Sequence, residues 1–421
     1  MKSKNMLLTA LAGSIASIVA APALASFADD SKLTLESRTA YVNSDDRSGG
    51  YDSKEAAQGF LFEFESGYTD GVVGFGVDAF AGFGLKLDGS VKRDAAGNYL
   101  PQTGLLSDNQ KEYGKIGVTA KAKYSESVLK LGALRPDLPV LQHNNDRLMP
   151  QIFQGVAIEV NEIDKLSLKA GQIREVNHRN SQDYERMSID SRDLVTQEQK
   201  GKRFNYVGAD YKFTDEFDAS YFYSNLEDYY KQHFLGATYL TALDDVQSFG
   251  ADLRYFSTTD DGSKYVTTIN GKKLDNKTVS GKVNYGLDGH TFGLSYQKST
   301  GNTGFVKLDG TDSYLHHHRM VSDFAHKGEK SWGVSYAYDL GNIGYDGFTV
   351  GASYTKGKDV DAYLNSGKKG KEWERNTDVA YTFQDGAAKD LSLTLRNSTY
   401  RSNFANNVDE IRLIVSYPIR L

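Results

Sequence analysis

The chain has 421 residues, a formal net charge of −6 and no cysteine, with 41 glycines and 27 tyrosines against only 6 prolines. The acidic balance excludes a basic nucleic-acid binder and the lack of cysteine excludes disulfide stapling. The composition favours strands and tight turns over helices.

Residues 1–25 read as a secretory signal peptide. Lys2 and Lys4 precede an apolar stretch, Met6 to Ala21, and Ala23-Leu24-Ala25 offers a small-residue cleavage site. Its removal takes two lysines and no acid, so the remaining chain is more acidic still. Beyond it no apolar run reaches the ~18 residues that a helical span needs. The mean hydropathy of −0.51 does not argue against membrane strands, because their alternating faces cancel in an average.

From Lys32 onward apolar and polar residues alternate with period two, the signature of strands with two unlike faces. Eighteen candidate strands follow. The first, Lys32 to Asn43, sets Leu33, Leu35 and Tyr41 against Glu36 and Arg38. The second carries Phe60, Phe62 and Phe64 on one face, and a tight Gly67-Tyr-Thr-Asp-Gly71 connection leads into a third interleaved with Gly74, Gly76, Gly82 and Gly84. The fourth opposes Ile116, Val118 and Ala120 to Lys115, Lys121 and Lys123. Through the middle of the chain the pattern recurs, least sharply near Tyr230 to Tyr239. At the end, Leu391, Leu393 and Leu395 alternate with Thr394 and Arg396, and Ile411, Leu413 and Val415 with Glu410 and Arg412.

The connections alternate between long, such as 88–112, 136–152, 176–202 and 298–329, and short, such as Asn161-Glu-Ile-Asp164 and Gly286-Leu-Asp-Gly289. Outer-membrane barrels have this rhythm, with long loops outside and short turns at the periplasm. The expectation is an all-β fold: a single transmembrane antiparallel β-barrel over residues 26–421, with about eighteen strands. It would stand among the lipids of the outer membrane of a Gram-negative bacterium, alone or as a homo-oligomer.

A barrel of that size leaves a water-filled channel, so the polar faces become the functional surface. Closure pairs the last strand with the first and brings Arg38, Arg396 and Arg412 onto three consecutive strands. Guanidinium groups grip carboxylates bidentately, so this cluster fits passage of small carboxylate-bearing solutes. The structural alternative pairs Arg38 with Glu36 and Arg412 with Glu410. Lys121 and Lys123 join the basic lining. Segment 136–152 holds Pro136, Pro139 and Pro150, half of the prolines in the chain, and reads as a stiff loop that constricts the pore; 176–202 is a second candidate.

Ordered matches along the chain carry a resemblance. They include Asp30-Ser-Lys-Leu-Thr-Leu-Glu36 with Arg38, Ser66-Gly-Tyr-Thr-Asp-Gly71, Leu138-Pro-Val-Leu-Gln142 with Arg147-Leu-Met-Pro-Gln151, Glu329-Lys-Ser-Trp332, Glu372-Trp-Glu-Arg375 and Asp409-Glu-Ile-Arg412. The chain resembles the OprD-like family of substrate-specific outer-membrane porins. The resemblance implies an eighteen-stranded barrel with inward-folded loops, and a ladder of basic residues facing an acidic pocket. Carried over by position, the ladder is Arg38, Arg375, Arg396 and Arg412, and Asp309 and Asp312 fall in the acidic region. Arg375 shares its phase with Val379 and Tyr381, which sets it on the apolar face unless it stands above the membrane. Thr394 replaces a further arginine of many relatives, Asn302 replaces a common aspartate, and Leu421 stands where a terminal aromatic is usual. Competing readings are a barrel enzyme and a loop-mediated adhesin or receptor. His143, His178, His233 and His290 are scattered with no triad spacing, and His316-His-His318 reads as a solvated loop, not a metal site. No cofactor is expected.

Overall fold

The computed structural model describes residues 25–420 except 51, 90–103, 107–109, 192–199, 263–272 and 362–367. The expected signal segment lies outside the described residues save Ala25, which begins a one-turn helix, Ala25–Asp29.

Eighteen strands form one antiparallel sheet. They are β1 (Lys32–Asp46), β2 (Ser53–Glu65), β3 (Gly74–Asp88), β4 (Glu112–Tyr124), β5 (Ser127–Leu134) and β6 (Ile152–Ile163). Then come β7 (Leu166–Asn177), β8 (Phe204–Lys212), β9 (Phe217–Leu226), β10 (Tyr230–Ala242), β11 (Gln247–Asp260) and β12 (Asp275–Leu287). The last six are β13 (His290–Gly301), β14 (Lys330–Asp339), β15 (Phe348–Val360), β16 (Gly370–Thr382), β17 (Ser392–Ser402) and β18 (Val408–Arg420). Each pairs with its successor, and β1 pairs with β18, from Thr34 opposite Arg420 to Asp46 opposite Val408. The sheet therefore closes and leaves no edge, as a span through hydrocarbon requires.

Side-chain alternation fixes what each face meets. On β4, Ile116 and Val118 are 70% and 51% exposed and point outward, whereas Lys115, Thr119 and Lys121 are buried inside. Aromatic rings mark both ends of the outward band. Near the loop end Trp332, Tyr354 and Trp373 stand in a row with ring centroids 5.7 and 5.8 Å apart. Near the turn end His290 stacks on Tyr338 at 4.0 Å. Such rings favour the membrane–water boundary.

The interior departs from a simple polar lining. Inward residues of β6 to β11 include Phe153, Ile173, Phe204, Phe222, Phe234 and Phe256, and they pack with Val306, Leu308 and Leu315 from the loop between β13 and β14. Burial of each large side chain is worth about 2 kcal/mol. This core packs loop residues against one side of the inner wall. Alternation alone could not reveal it, because the apolar partners arrive from loops distant in sequence.

Candidate functional site

Three loops meet in the lumen. The first, residues 135–151, folds onto the inner wall at Gly59, Gly82 and Gly84. A Cβ at Gly59 would lie 3.0 Å from Leu148 Cγ, and one at Gly82 only 2.7 Å from Met149 Sδ. Glycine at these positions lets Leu148 and Met149 seat fully buried against Ala40, Val42 and Ala57. The second loop, described over 178–191 and 200–203, and the third, 302–329, pair through Ile189 opposite Leu308. The third also bridges the first, Gln142 opposite Asp312.

Wall residues lock these loops. Lys115 donates from Nζ to the carbonyls of Pro150 (3.1 Å) and His178 (2.7 Å). Glu374 accepts from the backbone N–H groups of Val321 and Ser322, at 3.2 and 3.0 Å. Arg254 pairs with Asp252 at 2.6 Å and lies 3.8 Å from the ring of Tyr314. His326, Glu329 and Glu372 bring possible ligand atoms within 4.8 Å of one another. Glu372, however, accepts from the hydroxyls of Ser322 and Tyr400, and the Glu329 carboxylate accepts from the backbone of His326. These contacts make a loop latch.

Asp146 is the centre of the arrangement. Its Oδ1 lies 2.6 Å from Arg179 Nη1, and its Oδ2 lies 2.8 Å from Arg147 Nη1 and 3.0 Å from Arg412 Nη1. Burial alone would raise this carboxyl, but Arg147, Arg179 and Arg412 hold it well below the usual carboxylate range. His318 sits 2.5 Å from Asp323 and 3.5 Å from Asp312. Burial works against its charge, yet the two carboxylates push its pKa up to about 10. Its neighbours diverge: His316 turns to Asp252, and His317 bridges the Ser295 and Ser331 hydroxyls.

The arginines expected in the ladder have unlike surroundings. Arg38 binds Glu36 through Nε (2.9 Å) and Nη2 (3.2 Å), and through Nη1 donates to Asn145 Oδ1 and the Arg147 carbonyl. Arg412 is 3% exposed and is spent on Glu410, Asp146 and the carbonyl of Met320. Both therefore make the pairings of the structural alternative and also hold loops. Arg396 lies opposite Arg412 in the register but remains 41% exposed, with Asp378 Oδ1 3.3 Å away. Arg375 is a correction. Its neighbours Glu374 and Asn376 point inward, so Arg375 points outward, exposed, and donates to Thr399 on the outer face at 3.2 Å. Its phase, not its position in the motif, decides its direction.

Lys121 donates to the Ser66 carbonyl (2.7 Å), pairs with Asp78 (2.5 Å) and lies over the Tyr68 ring. Lys123 is half-buried on the same inner face, nearer the periplasmic turn. Asp309 Oδ2 accepts from Ser188 at 3.4 Å, and Asp312 Oδ1 from Asn144 at 2.6 Å.

Two cavities flank the loop junction. One of about 590 Å³ is lined by Asp309, Lys307, His318, Arg319 and Asp323, among others. The other, about 470 Å³, is lined by Arg38, His143, Thr394, Arg396, Ile414 and Ser416. Asp146, Arg147 and Asp312 line both and so stand between them. Asp146, Arg179 and Arg319 carry no signal of their own in the sequence, and Arg147 enters there only within a family match. The Asp146-Arg147 dipeptide inside a proline-rich loop was the one available signal. The expected solvated His316-His-His318 loop is a correction: His317 is fully buried and His318 is held between Asp312 and Asp323.

A family model described as outer membrane porin, OprD family, matches residues 25–421. Porin D of Pseudomonas aeruginosa is 36% identical, over 94% of this chain and 92% of its own length. Among solved structures, Pseudomonas aeruginosa OpdQ superimposes with a TM-score of 0.85 at 42% identity, over 94% of this chain and 99% of that one. Pseudomonas aeruginosa OpdK, solved with vanillate, gives 0.84 at 33% identity, over 94% and 100%.

Proposed function

Because the chain belongs to the OprD family of outer-membrane porins, we propose that it gives passive, substrate-selective passage to small carboxylate-bearing solutes such as amino acids, peptides or organic acids. The observation that carries this reading is the contrast among the seam arginines. Arg38 and Arg412 are committed to loop carbonyls and carboxylates, and Arg396 keeps much of its guanidinium open to the 470 Å³ cavity. Arg396 is the group that meets the solute, and Arg38 and Arg412 hold the constriction around it. Asp309 and Asp312, beside Lys307 and His318 in the neighbouring cavity, receive the ammonium end of a zwitterion. Lys121 is tied into the wall, and Lys123 is the freer of the two for extending the cationic path. OpdK's association with vanillate, itself a carboxylate, is in keeping with this class.

Liposome swelling with Arg396→Gln tests the proposal. A half-exposed charge contact is worth about 1 kcal/mol, so carboxylate entry should slow roughly fivefold. Entry of a neutral sugar of similar size should not change. Equal rates for the carboxylate in wild type and variant would refute the role.

A further inference from the structure

The outer wall carries a row of cations that transport does not use. Lys298 on β13 lies opposite Lys330 on β14, Lys330 opposite Lys358 on β15, and Lys358 opposite Lys371 on β16. All four share the phase of Trp332 and Trp373, so they point away from the lumen. One rung toward the membrane centre, Trp332 lies opposite Lys356 and Lys356 opposite Trp373; one rung further, Tyr354 lies opposite Arg375. The cations thus stand at the loop end of the barrel, immediately beyond the aromatic row.

Adjacent strands are ~4.8 Å apart, and like charges placed directly opposite destabilise a sheet. The protein's own acids offset little of this. Asp359 binds Lys330 at 2.9 Å, and Asp361 binds Lys327 and Lys369 at 3.1 and 3.5 Å. Among the described residues, Lys298, Lys356, Lys358 and Lys371 make no ion pair. A row of that length spans roughly 14 Å, wide enough for a headgroup bearing more than one phosphate. The location decides the partner. An anion bound here has hydrocarbon below it and aromatic rings at the boundary, which suits a molecule with acyl chains beneath a charged head. The loop end of the barrel faces the outer leaflet.

We propose that Lys298, Lys330, Lys358 and Lys371, with Lys356 and Arg375 beneath them, dock the phosphorylated sugar headgroup of an outer-leaflet glycolipid. The lipid phosphates neutralise the lysine row, and its chains cover the outer faces of β13 to β16.

The test uses the full-length barrel in neutral phosphatidylcholine vesicles doped with bacterial outer-leaflet phosphoglycolipid, either intact or phosphatase-treated. Glycolipid retained per barrel after mild detergent extraction is read by native mass spectrometry. Wild type should retain the intact lipid. Retention should fall at least fivefold in K298Q/K358Q/K371Q, and equally for wild type with the dephosphorylated lipid. K54Q/K231Q, on a distant arc, should match wild type, and all variants should show unchanged channel conductance. Equal retention by wild type and the triple variant, or retention insensitive to phosphatase treatment, overturns the proposal. So does full displacement by millimolar inorganic phosphate, which would mark a site for free anions. If the triple variant fails to fold, the phosphatase arm on wild type decides.

Discussion

Asp146→Asn removes one charge from a carboxylate that three arginines share. The side chain is nearly isosteric, so Leu148 and Met149 keep their seats and the effect is electrostatic. The variant leaves Arg412 with Glu410, and Arg147 with the same Glu410 at 3.9 Å. Two arginines then compete for one acid in a site where Arg412 is only 3% exposed. Breaking a buried ion pair costs roughly 3–5 kcal/mol, and the 29% exposure of Asp146 lets water repay part of that. A net loss of about 2–3 kcal/mol remains. Burial of Leu148 and Met149, at about 2 kcal/mol each, opposes release. The loop should therefore stay seated most of the time and make excursions that wild type does not. Single-channel recording should show added transitions to a larger conductance, and limited proteolysis should cut within residues 135–151 sooner. Identical traces and identical cleavage would refute the view that Asp146 latches the loop.

The same clamp has a defined acid response. Asp146 is held below its ordinary value of 3.8, so its contribution is complete above that pH and is lost only as pH falls through the lowered value. Protease resistance of residues 135–151, which reads the clamp itself, should be unchanged from pH 7 to pH 4. His318 has the opposite sign: raised from 6.5 to about 10, its contribution is present below 6.5 and lost as pH rises through about 10. Anion preference, read from reversal potentials, should decline over that alkaline range. Gly82→Val would drive a branched side chain into Met149 Sδ and unseat the loop tip, at a cost of about 1–3 kcal/mol, raising conductance persistently. Arg375→Gln should leave carboxylate flux in liposome swelling unchanged, since the side chain points outward. A drop comparable to that of Arg396→Gln would show that the outward assignment misplaces it.

The barrel was legible because membrane strands must obey period two on every span. Even the poorly patterned Tyr230 region takes its place as β10, with Leu235 outward and Phe234 inward. Its pattern is weak because both faces mix polar and apolar residues: inward Phe234 and Gln232 meet loop residues instead of water, and Lys231 and His233 share the outward face with Leu235. The same cause hid the clamp. Asp146 and Arg412 are 266 residues apart, and no local spacing announces that they meet. The three seam arginines could be placed on neighbouring strands, but whether each guanidinium faces solute or serves a loop depends on what the loops bring. Arg375 teaches the reverse. Its motif suggested the pore, its phase with Val379 and Tyr381 gave the outer wall, and the phase prevails because a strand cannot turn one residue without turning its neighbours.

The pairing of β1 with β18 also governs how the protein comes to exist. Thr34 to Asp46 must wait for Val408 to Arg420, so the last contacts to form join opposite ends of the polypeptide. Loop closure of that length sets a slow, non-local final step. Until it is complete, the nascent sheet has two unpaired edges, each a template for pairing with another chain. Assembly is then a race between sealing and aggregation. Pairing of each strand with its successor from β2 through β17 leaves only one such step to the end.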